Sequence, residues 1–461
     1  MKLNKKSPMI FTEEGAIAKQ INPEIQLRRL VMSCLLWEDN FYVDGQSASK
    51  LIEQTISEVK PEIVSQIAIE CREKMYLRHI PLFIVSCMSR LKTHSSFVKS
   101  TLEKVIQRPD ELMEFLAIYW KGKTKRQEKK YPFKLTAGVK KGLGNALKKF
   151  NEYSLAKYNQ NKEIKLKDVL NLCHPKPVSL EQSTLWKKIL DNKLETPDTW
   201  EVALSTGKDK KETWERLITE KKLGGLAFLR NLRGMLQVDT DINIIKNGFE
   251  TVNFNKVLPF RFIAAAQYVP KLENKIEIAM LKAIDNKNKL KGKTVFVVDV
   301  SGSMYGAQIS SYSEINRAKV ACALGILVRE ICEESAIYAT AGNDSTEIHQ
   351  TKLIPSRRGF ALSDAIYEMC HPLGGGGIFV KQVMDYLYEQ EKFADRILII
   401  TDEQDCQRSS YKQKYPLIGT HKYMINVSAE KNGVGYYDWV HIDGFSELVV
   451  NFIQEYEKKE Q

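Results

Sequence analysis

From residue 15 to about 290 the apolar positions recur at spacings of three and four, as in IQLRRLVMSCLLW, LIEQTISEVKPEIVSQIAIECREKMYL and DELMEFLAIYW. That period gives each segment one apolar stripe to bury, the mark of amphipathic helices. Prolines at 61, 81, 109, 132, 175, 177, 197, 259 and 270 break the stretch into helices of ordinary globular length. No convincing strand alternation or sequence repeat is visible, so helix density alone points to an α-solenoid of stacked helical pairs. At Lys293 the pattern changes. TVFVVDV and RILIITD, at 396 to 402, are continuous β-branched runs of the kind that form buried parallel strands. SAIYATAG and HKYMINVSA are further candidate strands, and RAKVACALGILVREIC, SDAIYEMC and VKQVMDYLYEQ read as the intervening helices. This order predicts a doubly wound α/β sheet, whose ligands bind at the carboxyl ends of the strands. The expected division is an all-α region over 1–292 and an α/β domain over 293–461, with the boundary in DNKNKLKGK.

With 461 residues, 43% of them hydrophobic and 27% charged, the chain has the composition of a multidomain globular protein and not of a disordered, collagenous or disulfide-stapled one. No apolar run approaches the roughly 18 residues needed to span a bilayer, so no membrane role is expected. The opening MKLNKKSPMIFTEEG has basic residues but too short an apolar stretch for a signal peptide, and the eight cysteines show no C-x-x-C spacing. Reduced thiols and a cytoplasmic location are the expectation. The net charge of +12 is unevenly placed. From Lys121 to Lys176 there are 16 basic and 4 acidic residues, a net +12, while the last 168 residues hold 16 basic and 23 acidic, a net −7. A basic segment of this density is the footprint of phosphate-backbone binding through counterion release. A solvated lysine-rich helical surface gives the same count.

The strand TVFVVDV runs into Asp299-Val300-Ser301-Gly302-Ser303, and RILIITD delivers Asp402 to the same sheet edge. Oxygen ligands at alternate positions of such a turn converge on a hard cation, Mg2+ above all; the same residues can instead cap the following helix and close a turn. The motif and the α/β order resemble a von Willebrand factor type A domain with its metal-ion-dependent adhesion site. The resemblance implies Asp299, Ser301 and Ser303 as metal ligands, Asp402 as a ligand directly or through water, and a Thr from a Gly-rich loop. Here that loop is Gly374-Gly375-Gly376-Gly377, and Gly376 stands at the Thr position.

The preceding region carries a second resemblance. RPDELMEFLAIYW, KKGLGNALKKFNEYSLAKYN, IKLKDVLNLCHPKP, DTWEVALSTGKDKKETWERLI, KLGGLAFLRNLRGML and KVLPFRFIAAAQYVP, in this order, are similar to the TROVE domain of the Ro autoantigen family, of bacterial or phage type, and HIDGFSELVVNFI resembles its closing helix. The resemblance implies a ring of HEAT-like helical repeats closed by the von Willebrand A domain. It further implies binding of small structured Y RNAs on a basic outer surface, entry of single-stranded 3′ ends of misfolded RNA into the hole, a role in RNA quality control, and partnership with an exoribonuclease such as polynucleotide phosphorylase. Because that ring is intramolecular, a monomer is expected.

Lys157 and His174 match family positions implicated in RNA binding; a further basic family position is Asn161 here, with Lys162 beside it. His174 can donate to a phosphate or stack on a base, or it can end a helix bonded to a carbonyl. Lys140, Lys141, Lys148 and Lys149 fall at helical spacing and form a candidate stripe of phosphate contacts, which position RNA without reading its sequence. Arg230, Arg233 and Arg261 either line the ring's hole or pair with carboxylates between repeats. Among the nearby aromatics, Tyr119, Trp120, Tyr131, Phe133, Phe150 and Tyr153 are expected in the core, and Tyr158 is the candidate base-stacking ring. No P-loop, G-x-S-x-G or H-E-x-x-H occurs, so no catalytic machinery is expected. The competing reading is a protein-interaction adaptor whose cation is completed by an acidic residue of a partner.

Overall fold

The computed structural model describes residues 10–11, 17–18, 23–33, 45–74, 77–121, 134–159, 163–205, 209–255, 257, 259–285, 289–306, 316–402, 406, 411–427, 439–443 and 449–460. The chain forms two compact units, one of Ile21–Trp37 and Gly45–Ala203, the other of Leu204–Gln461 with Met1–Gln20 and Glu38–Asp44. The texture change seen in the sequence coincides with the first long strand, at Leu290. The second unit nevertheless includes the helices between 210 and 285, and Pro259–Tyr268 and Glu273–Asp285 pack on the Arg317–Ile331 helix.

The first unit is helical throughout its long elements. Prolines expected as breaks act as helix starts: Pro61 and Pro109 open Pro61–Glu73 and Pro109–Lys121, where the missing N–H costs nothing. Side-chain caps set other starts, with Asn151 accepting from Ser154 N at 2.9 Å and Ser179 from Gln182 N at 3.2 Å. The core is crossed by charge. Glu111, wholly buried, takes the Arg72 guanidinium at 2.6 Å on one oxygen and the backbone N–H groups of Gln107 and Arg108, at 2.8 and 3.0 Å, on the other. Burial pushes its carboxyl up, and the Arg72 charge and the two N–H groups pull it back. It thereby caps its own helix and ties Pro61–Glu73 to Pro109–Lys121.

The second unit holds a two-residue pairing of β1 (Ile10–Phe11) with β2 (Ile17–Ala18), the latter inside the 15–290 region read as free of strands, and a six-stranded sheet. Its strands are β3 (Leu290–Asp299), β4 (Cys332–Asn343), β5 (Ile348–Leu353), β6 (Arg396–Thr401), β7 (His421–Asn426) and β8 (Val440–Asp443), in the order β5-β4-β3-β6-β7-β8. All pairs are parallel except β4 with β5. At this edge only a turn at 344–347 separates β4 from β5, and a turn permits no parallel crossover, so β5 adds to the sheet as an antiparallel edge strand. Val295, Val297, Ile397, Ile399 and Met424 pack one face of the sheet against Val383, Met384 and Leu387 of the Val380–Glu391 helix. Because β3 lies between β4 and β6, the chain order reverses at its carboxyl end, the position where open α/β sheets place their ligands.

Replacing Glu111 by Gln leaves Arg72 buried without its counter-charge; we expect a loss of about 3 kcal/mol and a fall in thermal midpoint of roughly 10 °C, read by differential scanning calorimetry. An unchanged midpoint would show that the pair does not hold these helices together.

Candidate nucleic-acid interface and metal centre

In the first unit the basic residues emerge from four helices: Ala137–Leu147, Glu152–Tyr158, Leu166–Cys173 and Leu180–Leu190. Lys141 is exposed, and Lys140 and the C-cap Lys148 are half-buried. Lys140 acts on the Cys173 thiol, which burial pushes up to about 12 and the lysine charge pulls down. The lysine therefore sits at the end of the helix that His174 closes. His174 is that helix's C-cap in the left-handed conformation, φ 46°, with its N–H on Leu170 O at 2.9 Å and its side chain exposed. The helix-end reading holds for its backbone, while its ring remains open to solvent.

Lys149 is corrected. Its ammonium donates to the carbonyls of Glu103 and Ile106, where the Val98–Val105 helix ends, and desolvation holds its pKa below the usual lysine range. Free carbonyls at a helix carboxyl end attract a cation, so this lysine is spent within the fold. Tyr158 is half-buried, with the Arg108 guanidinium 4.5 Å from its ring centroid and Lys157 Nζ at 5.7 Å. The candidate stacking ring thus already carries a cation, and Arg108 is in turn fixed by Asp110 at 2.8 Å. The sequence reading missed Arg108, whose only signal was its place before Pro109. Tyr119 and Trp120 are buried as expected, but Tyr153 is not: it is 53% exposed. Near His174, Val178 and Leu180 are 72% and 83% exposed, apolar positions that the sequence reading passed over. Asn161, Lys162, Tyr131 and Phe133 lie outside the described residues.

Arg230, Arg233 and Arg261 belong to the other compact unit, on the packed helices Gly225–Gln237 and Pro259–Tyr268, and all three are exposed. Arg233 lies 5.8 Å from the Tyr268 ring and Arg261 4.3 Å from that of Phe260. Among the described residues no carboxylate pairs with Arg230 or Arg233, which favours their availability to a ligand over a structural role. Tyr268, itself 53% exposed, was not singled out from the sequence.

At the sheet's switch point Asp299 and Asp402 are both buried. Asp299 accepts from Ser301 N at 2.8 Å and from the Thr401 hydroxyl at 2.7 Å; the Ser301 and Ser303 hydroxyls are 3.2 Å apart. Arg317 Nη1 lies 3.3 Å from Asp402. Burial, and then the neighbouring Asp402 charge, raise the Asp299 carboxyl to about 7. The turn hydrogen bond expected of a mere cap is present, and two buried carboxylates also lie together here, an arrangement that can take a cation. Among the described residues no three His, Cys, Asp or Glu side chains converge, so the candidate set is two carboxylates with two hydroxyls. Its chemistry fits a hard, oxygen-ligated ion.

The Gly-rich loop is tied to this turn, since Gly302 N donates to Gly375 O at 2.9 Å. Gly376 N donates to Gly342 O at 2.9 Å, and a Cβ on Gly376 would lie 2.6 Å from that same oxygen. A hydroxyl-bearing residue is sterically excluded there while the end of β4 stays in place.

The TROVE domain model matches residues 12–192 and 190–366. The chain belongs to the TROVE domain family. The second match runs through β3, β4 and β5, past the boundary expected from texture. Telomerase protein component 1 of Mus musculus is 22% identical over 345 residues, which cover 55% of this chain and only 13% of that protein. The crystal structure of the Ro (Rsr) protein of Deinococcus radiodurans superposes with a TM-score of 0.63 at 15% identity, covering 95% of this chain and 100% of that one. This TROVE chain therefore shares the Ro fold, helix-rich with a mixed carboxyl-terminal sheet.

Gly376→Thr, the change that would supply the missing hydroxyl, is expected to lower the thermal midpoint and not to increase any shift produced by Mg2+. Melting curves of both proteins with and without the ion decide this; a variant that melts at the parent temperature would show that the loop yields.

Proposed function

We propose that this TROVE protein is a Ro-like, non-enzymatic RNA-binding scaffold. On this reading it holds small structured, Y-like RNA on the basic face of its helical unit and takes single-stranded 3′ ends of misfolded RNA at the arginine–aromatic positions of the other unit, in RNA quality control. The observation that carries the reading is the net +12 between Lys121 and Lys176, from which Lys140, Lys141, Lys148, Lys157 and His174 reach the surface or lie half-exposed. Such contacts hold phosphate, and rings flanked by cations supply stacking surfaces. Family membership and the shared Ro fold support the same reading.

The HEAT-like ring, the von Willebrand A assignment, a cytoplasmic location, a monomer and recruitment of an exoribonuclease such as polynucleotide phosphorylase belong to this proposal. So does a divalent cation, Mg2+ first, held by Asp299, Ser301, Ser303 and Asp402. When bound it would offset the two buried carboxylates.

Purification without nuclease, followed by sequencing of the copurified RNA, tests the core of the proposal. A discrete structured RNA is expected, with the Lys157→Ala/His174→Ala double variant binding it roughly tenfold more weakly and with a shallower salt dependence. Equal affinity in the variant would remove these residues from the interface. Partner binding that needs Mg2+ and survives nuclease would favour the adaptor reading instead.

A further inference from the structure

A cavity of about 300 Å³ opens beside the start of β4, lined by Arg329, Ser335, Ile337, Ile354, Ser356 and Arg357. Arg329 comes from the last turn of the Arg317–Ile331 helix, where the helix dipole favours a cation. That accounts for an arginine but not for the state of its donors. Its Nε and the Ser335 hydroxyl are buried and have no hydrogen-bond partner among the described residues. Its Nη2 lies 3.5 Å from the Ser356 hydroxyl, and Arg357 is exposed at the rim without an ion pair among the described residues. One carboxylate, Glu391, also lines the cavity, but Lys293 Nζ at 2.6 Å and the Tyr338 hydroxyl already hold it. Buried donors without a partner carry a desolvation cost, which an acceptor entering the cavity recovers.

We propose that this cavity binds a phosphate monoester on a small organic body. The phosphate is taken by the forked donors of Arg329 and Arg357 with the hydroxyls of Ser335 and Ser356, a match of planar guanidinium to oxyanion. The rest of the ligand lies on Ile337 and Ile354. The volume sits at the lower end for small-molecule sites and excludes a folded nucleic acid, but it admits a free nucleotide or the 5′-phosphate end of an RNA strand. The site shares no residue with the basic helical face or with the Asp299 cluster.

The test is methyl NMR of the full chain labelled at isoleucine δ1, titrated with inorganic phosphate, uridine 5′-monophosphate and uridine. The Ile337 and Ile354 signals are expected to move with both phosphates and not with uridine. Arg357→Gln, a change at an exposed position that leaves the fold intact, and Arg329→Gln are each expected to weaken the response roughly tenfold. Lys157→Ala/His174→Ala should leave it untouched, which separates this site from the RNA face. A 5′-phosphorylated oligouridylate binding more tightly than the monophosphate assigns the site to an RNA end, and the reverse order to a free nucleotide. Silent Ile337 and Ile354 signals, or responses unchanged in both arginine variants, would overturn the proposal.

Discussion

Two carboxylates held out of water at the ends of adjacent strands set the terms for the second compact unit. The parallel register pairs Val298 with Ile400, so the next residue of each strand brings Asp299 beside Thr401, and Asp402 follows at once. Burial there would be prohibitive without compensation. The fold meets it with the Ser301 N–H, the Thr401 hydroxyl and the Arg317 guanidinium, each from a different segment: the turn, β6 and the long helix that begins at residue 317. Strand order, turn and helix placement are thus mutually required at one point.

The helical unit answers a similar problem differently. Glu111 is compensated wholly from within, by Arg72 and two backbone donors, and leaves nothing over for a ligand. Positive charge offered to solvent lies outside that node, among the described residues at Lys140, Lys141, Lys148 and Lys157. The contrast separates charges that organise the fold from charges that the fold offers to solvent, and Lys149 shows that sequence position alone does not sort them.

Much of this was legible in the chain. Period-3.6 stripes and β-branched runs reveal element type because the side-chain repeat is a direct consequence of backbone geometry. Asp299, Ser301 and Ser303 were readable because a strand end and a turn place them by local spacing. What failed was non-local. Ile348–Leu353 joins the sheet through partners on β4, and its short alternation carries no signal strong enough to stand alone. Tyr153 shares the apolar spacing of buried neighbours, yet it is 53% exposed. Arg108 meets Tyr158 only after 49 intervening positions are folded.

Gly376 and Gly342 approach so closely that neither has room for a side chain: a Cβ on the first meets the carbonyl of the second, and a Cβ on the second meets the Phe379 ring at 2.5 Å. The two positions are therefore interlocked in heredity as well as in space. A hydroxyl could enter this loop at position 376 only after the end of β4 had moved away from it, a displacement that the substitution itself does not supply. In evolutionary terms the glycine loop works as a constraint on its neighbours: a side chain enters it only together with a shift of the adjoining strand end.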